Sequence, residues 1–240
     1  MQLRWPDPDF AGSARAQRSF GLAIRVTLAF LILIWLIFGL QWLTGLDLLR
    51  FGLRPRDPAG LIGLLTTPLL HASLAHLVSN SLPLFVGGVA LLFLYPNSSL
   101  RVLPLLYIGS AALAWTFARP SVHIGASGLV YGILTYVFVA GIVRRDVRSV
   151  GVSLMVWFFY GSMVWGVFPV VPRMSWELHA SGLVLGAVLA YVYRGWDRPP
   201  LKTYEWEEET VEGIDEHWSD DCSGDCADNR ISRDKEKRPW

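Results

Sequence analysis

The stretch HIGASGLVYG, from His123 to Gly132, decides how the whole chain is interpreted. It opens an apolar run that continues to Val143, and it begins that run with Ser127 enclosed by glycines. A second stretch, HASLAHLVSN from His71 to Asn80, places two histidines and an asparagine at the head of another apolar run. Ionisable and strongly polar groups inside a membrane are costly, so their presence at these two points indicates a functional site.

Composition points to a membrane protein with a separate acidic tail. Hydrophobic residues make up 52% of the 240 residues, and the net charge of +1 conceals an uneven distribution. Up to Gly195 there are fourteen basic against six acidic residues, and from Trp196 onward there are seven against fourteen. Both cysteines fall in the acidic part, so no disulfide framework supports the membrane part.

The tail carries a weak metal-site pattern. Cys222, Cys226 and His217 lie near one another in sequence, but three ligands in an acidic tract are one short of a closed structural site. A solvated tail is favoured over a metal site by roughly ten to one on that count. The density of Asp and Glu and the lack of large aliphatic residues predict that the tail is disordered.

Six runs are long and apolar enough to cross a bilayer core of about 30 Å. The predicted class is therefore an all-α membrane bundle of six transmembrane helices, with a cytoplasmic segment 1–19, a membrane domain 20–195 and a tail 196–240. The predicted spans are Phe20–Leu43, Leu69–Tyr95, Leu100–Ala118, Gly125–Val143, Val150–Phe168 and Trp176–Tyr193.

Basic residues predict the orientation of the bundle. Arginines precede the first span, fill the fourth connection and follow the last span, and such residues favour the cytoplasmic side. Both termini are therefore predicted inside. The first loop, LDLLRFGLRPRDPAGLIGLL from Leu46 to Leu65, is too apolar for free solution and too rich in Gly and Pro to span, so it is predicted to lie in the membrane interface.

The polar residues are predicted to lie at one depth. The second, fourth and sixth spans run from outside to inside, and each carries its polar residues near its start. The helical rise places His76 about 10 Å inside the predicted start of the second span. Ser127 and His179 lie within the first turns of theirs, so all three groups are expected toward the outer face.

Spacing along the helices indicates which faces meet. Residues four apart share a face, which pairs His76 with Asn80 and Ser127 with Tyr131. Small residues at such spacing let membrane helices approach closely. The fourth and sixth spans carry them at Gly128 and Gly132, and at Gly182 and Gly186, so these two helices are expected to touch.

These residue types suit nucleophilic catalysis. A serine hydroxyl needs a base to accept its proton, and a histidine can do so near neutral pH. The negative charge of the tetrahedral intermediate needs donors, which free N–H groups at the start of the fourth helix, His76 and Asn80 can supply. Gly125 and Gly128 leave room for a substrate backbone beside Ser127.

The four sequence features resemble those of the rhomboid intramembrane serine proteases. They are LHASLAHLVSN, GASG with Tyr131 four residues after the serine, WELH ending at His179, and the glycines that follow. The resemblance implies that Ser127 is the nucleophile and His179 the general base. It also implies an oxyanion hole of His76, Asn80 and the Ser127 N–H, with Tyr131 packed on His179. The supporting residues would be Gly125, Gly128, Tyr131, Gly182, Gly186 and His71.

The resemblance further implies hydrolysis of peptide bonds in or beside transmembrane segments of other membrane proteins. The expected location is a bacterial inner membrane, with the site toward the outer face. The expected partners are such substrates and the lipid bilayer, with no nucleic acid, cofactor or metal. Substrate would enter near the fifth helix, and PVVPRMS from Pro169 to Ser175 would act as a cap.

Two alternatives remain open at this level. A rhomboid-like protein that binds transmembrane helices without cutting them would carry much of the same sequence. A transport or metal site would use His71, His76 and His179 as ligands, although the scarcity of carboxylates in the membrane counts against it. Glu177 lies two residues from His179 on a helix, so it is not expected to complete a triad.

Overall fold

The architecture was obtained as a computed structural model, which describes residues 13–170 and 174–198. The predicted all-helical class is confirmed: these residues form no β-strand, and Leu53 and His123 make only an isolated bridge. The longer helices are α1 (Ala14–Thr44), α2 (Leu74–Leu94), α3 (Pro96–Phe117), α4 (Ser127–Arg144), α5 (Val147–Tyr160) and α6 (Trp176–Val192).

Five of the helical segments are long and apolar enough to cross a membrane. They comprise α1 to α4 and the stretch Val147–Val167, in which α5 is extended by a 3-10 helix, Gly161–Val167. The sixth helix, α6, is apolar but has only 17 residues, which corresponds to about 26 Å. The chain therefore forms an integral membrane bundle with five full-length candidate spans and one shorter apolar helix.

The start of α2 corrects the predicted boundary. The predicted span began at Leu69, but Thr67–Leu69 is a 3-10 turn and α2 begins at Leu74. The Ser73 hydroxyl accepts a hydrogen bond from the His76 N–H at 3.2 Å and so caps the helix. As a result His71 lies before the helix, and His76 stands about 3 Å from the helix start rather than the predicted 10 Å.

Two other helix starts also differ from prediction, because polar caps extend helices beyond their apolar runs. The first helix begins at Ala14, not Phe20, and its cap is Ser13. Helix α3 begins at Pro96, not Leu100, and the Asp197 carboxylate accepts hydrogen bonds from the backbone N–H groups of Asn97 and Ser98 at 2.8 and 2.9 Å. The predicted fifth span ended at Phe168, but α5 ends at Tyr160 and the chain continues as the 3-10 helix Gly161–Val167. The remaining boundaries differ by three residues or fewer, and the tail from residue 199 onward lies outside the described residues.

The first loop is fastened to the rest of the bundle by backbone hydrogen bonds. Leu53 and His123 exchange two such bonds, of 2.8 and 2.9 Å, and the Arg56 N–H donates to the Trp115 carbonyl at 3.2 Å. The Trp115 indole in turn donates to the Asp57 carbonyl at 3.3 Å. These bonds hold the loop against the end of α3 and against the segment that precedes α4.

Helix α4 lies at the centre of the bundle. In α4, 67% of the apolar stretch is buried within the protein, compared with at most 39% in the other full-length spans. Its buried positions run from Ser127 to Gly141 and fall on every side of the helix. The start of α4 is therefore enclosed by protein rather than lipid.

Glycines let α4 and α6 meet backbone to backbone. A Cβ atom added at Gly182 would collide with the carbonyl oxygen of Gly128, and one added at Gly186 would collide with that of Gly132. The pairs repeat at a spacing of four residues on both helices, so the contact runs along a shared face. In lipid, such close packing supplies the association that apolar burial supplies in water.

We expect Gly182→Leu to destabilise the fold by about 3 kcal/mol or more, because its side chain would have to occupy the position of the Gly128 backbone. The measurement is the free energy of unfolding in detergent. Gly151→Leu on α5 is the matched control, since a Cβ there meets no atom within 4 Å. Equal stability of the two variants would contradict the packing described here.

Candidate active site

Ser127 is the first residue of α4, and its position follows from the loop before it. The residue is buried, with 6% of its surface exposed, and Ala126 is the N-cap. The Gly125 N–H donates to the Thr67 carbonyl at 2.9 Å, which fixes the loop. The first N–H groups of a helix lack acceptors within it, so Ser127 lies where free donors and the positive end of the helix dipole are found.

Only glycine fits at position 125, for two independent reasons. Its φ is +111°, a conformation that residues with a Cβ rarely adopt. A Cβ there would also lie 2.6 Å from Nε2 of His76 and 3.7 Å from Nδ2 of Asn80. The glycine therefore allows both side chains of α2 to approach the loop that leads into Ser127.

His179 is held by a backbone carbonyl. Its ring is buried, 7% exposed, and Nδ1 lies 2.9 Å from the Gly166 carbonyl oxygen. A carbonyl oxygen only accepts hydrogen bonds, so Nδ1 must carry the proton and Nε2 must present its lone pair. The ring is thus held in the tautomer that a general base requires, in the orienting arrangement that a carboxylate provides in triads.

Tyr131 fixes the plane of the same ring. The rings of Tyr131 and His179 are stacked, with centroids 4.3 Å apart and planes 9° from parallel. The Tyr131 hydroxyl donates to the Met163 carbonyl at 2.7 Å. Both aromatic rings are therefore bonded to carbonyls of Gly161–Val167, the 3-10 helix that follows α5.

Ser127 and His179 lie at the starts of two helices that touch at Gly128 and Gly182. Within residues 13–170 and 174–198, the Ser127 hydroxyl and the His179 ring do not form a hydrogen bond. Catalytic hydrogen bonds are often long or poorly aligned before substrate binds, so this geometry is compatible with a base that engages during the reaction.

The second helix supplies the other polar groups. Asn80 is buried, and its Nδ2 has no hydrogen-bond partner within the described part of the chain. The rings of His71 and His76 meet edge to face with centroids 5.1 Å apart. Burial, with His76 as a second cause, lowers the pKa of His71 to about 4, so His71 is uncharged at neutral pH.

Glu177 belongs to a different contact. Its carboxylate is buried and lies 3.6 Å from Nε of Arg119, and it accepts a hydrogen bond from the Arg119 N–H at 3.3 Å. The described residues show no hydrogen bond from Glu177 to the His179 ring. The carboxylate therefore joins α6 to the end of α3 and does not orient the histidine.

Residues 13–170 and 174–198 contain no group of three or more His, Cys, Asp or Glu side chains placed to hold a metal ion. His71, His76 and His179 are therefore not arranged as a ligand set. Cys222, Cys226 and His217 lie outside the described residues.

The carbonyls of Met163 and Gly166 were not identified from the sequence. Every residue has a carbonyl, so their role has no compositional signal. Gly166 itself is constrained to be glycine, because a Cβ there would collide with the Tyr131 hydroxyl and lie 3.3 Å from Nδ1 of His179. A glycine between Trp165 and Val167, just before the predicted cap, was the available indication.

The fold is that of an all-helical integral membrane protein. The Rhomboid domain family matches residues 58–196, and the chain belongs to the rhomboid family, whose members are generally intramembrane serine proteases. Uncharacterised proteins of Mycobacterium tuberculosis and Mycobacterium bovis are 33% identical to it over 174 residues, which is 69% of this chain and 72% of each relative. One of Mycobacterium leprae is 33% identical over 198 residues, 73% of this chain and 78% of the relative.

We expect Gly166→Ala to slow the labelling of Ser127 by a fluorophosphonate probe by about 10²-fold, because the added methyl group displaces the Tyr131 hydroxyl and the His179 ring. Labelling kinetics in detergent provide the measurement. Gly161→Ala is the control in the same 3-10 helix, since the atoms nearest to its Cβ belong to the Trp157 ring and lie at 3.3 Å or more. Unchanged labelling of Gly166→Ala would show that this segment does not hold the base.

Proposed function

We propose that the protein is an active intramembrane serine endopeptidase that cuts peptide bonds in or next to transmembrane segments of other membrane proteins. The observation that carries the proposal is the His179 ring, whose Nδ1 is bonded to the Gly166 carbonyl and whose Nε2 is left to accept a proton. A general base needs this tautomer, because the nitrogen without a hydrogen is the one that accepts the proton of the nucleophile.

The reaction proceeds through an acyl-enzyme. The Ser127 Oγ attacks the substrate carbonyl carbon while its proton passes to Nε2 of His179, which forms a C–O bond and a tetrahedral oxyanion. The intermediate then collapses, the C–N bond breaks, and the leaving amine takes the proton from Nε2. Water repeats the sequence, with His179 as base, to release the acid and restore Ser127.

The oxyanion is stabilised by donors that are in place before substrate arrives. The Ser127 N–H at the start of α4 is one, and Nδ2 of Asn80 and the His76 ring are the others. A buried amide without a partner costs about 1–3 kcal/mol, which a role toward substrate explains. The environment suits this task, because hydrogen bonds strengthen where bulk water is excluded.

The proposal includes the topology expected from the sequence. In it, α6 serves as the sixth span, both termini are cytoplasmic, and the site opens to the outer side of a bacterial inner membrane. Water then reaches Ser127 from that side, which the hydrocarbon core would not allow. Only 11% of the apolar stretch within Val147–Val167 is buried inside the protein, and a groove of about 290 Å³ separates α5 from α4 and α6.

Substrate helices would approach beside α5, because the span that it begins, Val147–Val167, is the least buried of the full-length spans. Trp157, Phe158 and Phe159 are all exposed there, where lipid or a partner helix covers them. The proposed cap, residues 169–175, lies partly outside the described residues. The supporting roles of Gly125, Gly128, Gly182, Gly186 and His71 are to shape this site.

We expect Ser127→Ala and His179→Ala each to abolish fluorophosphonate labelling and cleavage of a transmembrane substrate, with the thermal unfolding temperature close to that of wild type. The reason is that each removes one member of the dyad and leaves helix packing intact. Retained labelling in Ser127→Ala would refute the serine mechanism. A folded wild-type protein that never labels would favour the alternative, a non-cleaving binder of transmembrane helices.

Asn80→Ala is expected to lower kcat by about 10²-fold or less, because one side-chain donor to the oxyanion is lost while the Ser127 N–H and His76 remain. KM should stay near the wild-type value, since the interaction develops in the transition state. Ser79→Ala, on an exposed neighbouring position of α2, is the control. A normal kcat in Asn80→Ala would remove Asn80 from the site.

A further inference from the structure

His123 occupies a fixed position four residues before Ser127. It is fully buried, with 0% of its surface exposed. Its backbone N–H donates to the Leu53 carbonyl at 2.8 Å, and its carbonyl accepts from the Leu53 N–H at 2.9 Å. The first loop therefore holds the residue in place, and the ring has no freedom to reach water.

Both ring nitrogens of His123 are engaged. Nε2 lies 3.1 Å from the Arg119 carbonyl oxygen and 3.2 Å from the Ser121 hydroxyl, and Nδ1 lies 3.0 Å from the hydroxyl of Ser175. Since the carbonyl can only accept, Nε2 carries the proton and Nδ1 accepts from the Ser175 O–H. This last bond crosses from the segment before α4 to the start of α6.

Ser175 is committed to this contact. It stands at the N-cap of α6, where a serine ordinarily accepts a hydrogen bond from the first turn, yet its side chain makes no such bond. Its carbonyl, however, accepts from the N–H groups of Leu178 and His179 at 3.1 and 3.2 Å. A short hydrogen-bonded path thus leads from the His123 ring through Ser175 to the backbone of His179.

We infer that His123 and Ser175 are a positioning pair that sets the separation and register of Ser127 and His179. The inference rests on the proposed function and assigns these two residues a part in it. Gly128 and Gly182 let the two helices approach closely, but neither has a side chain that could make a directional contact between them. A buried hydrogen bond has a preferred length and angle. This one joins the segment four residues before Ser127 to the N-cap of α6, four residues before His179.

Loss of the hydrogen bond between His123 and Ser175 should affect the rate of reaction rather than only the stability of the fold. Without the bond, α6 can shift relative to α4 by a fraction of an ångström, and alignment between base and nucleophile is lost. Neither residue belongs to the dyad or the oxyanion donors, so probe binding should be unaffected. The effect should appear in the rate of the chemical step alone.

The experiment compares two serine-to-alanine variants, each of which removes one of the two serine hydroxyls that lie within hydrogen-bond distance of the His123 ring. Ser175→Ala deletes the bond that crosses to α6, whereas Ser121→Ala deletes a neighbour within the loop and leaves the Arg119 carbonyl as acceptor. With a fluorophosphonate probe at varied concentration, Ser175→Ala should lower the maximal inactivation rate about tenfold with an unchanged half-saturating concentration. Ser121→Ala should stay within about twofold of wild type, and Ser175→Thr, which keeps a hydroxyl, should restore the rate.

Rates are expressed per folded protein, with the fraction folded taken from thermal unfolding of each variant. A wild-type rate in Ser175→Ala, or an equal loss in Ser121→Ala, would overturn the positioning role while leaving the proposed protease intact. A wild-type protein that labels no more than Ser127→Ala would instead overturn the protease, and the positioning role with it.

Discussion

The backbone contact between α4 and α6 is the constraint on which the site depends. Gly182 and Gly186 lie against the carbonyls of Gly128 and Gly132, so close that there is no room for a side chain larger than a hydrogen atom. That contact brings the first turns of the two helices together, and Ser127 and His179 occupy those turns. Every other feature of the site adjusts a geometry that the glycines have made possible.

Three hydrogen-bonded connections then refine that geometry from different directions. The 3-10 helix after α5 holds the His179 and Tyr131 side chains through two carbonyls. Leu53 of the first loop and Thr67 of the 3-10 turn before α2 hold the segment before Ser127 through backbone hydrogen bonds. The hydrogen bond between His123 and Ser175 joins the segment before Ser127 to the start of α6. Since none of these connections uses a charged group, the site avoids the cost of burying an ion near lipid.

The sequence allowed much of this to be predicted where a residue type is itself the signal. Glycines at a spacing of four predicted the contact between α4 and α6, and an apolar run predicted each helix. The start of α2 was misplaced because Leu69 and Leu70 are as apolar as a helix interior, while the actual start depends on the Ser73 cap. Apolarity reports burial or lipid contact, but it does not report where a backbone turns.

The orienting groups were beyond prediction for a different reason. The carbonyls of Met163 and Gly166 belong to the backbone, and their positions depend on how the chain folds after Tyr160. His123 was visible as a residue, but nothing in its neighbours indicates that its partner is Ser175, 52 positions later. Such pairs arise from the three-dimensional path of the chain.

The use of a carbonyl to orient His179 also bears on how the protein can change over generations. A triad carboxylate disappears with a single codon change, but a carbonyl is present whatever amino acid is encoded. The orienting bond therefore offers a small mutational target, confined largely to the need for glycine at 166. Substitutions at Met163, Val164 and Val167 change side chains only, and the Gly166 carbonyl remains present to accept the hydrogen bond.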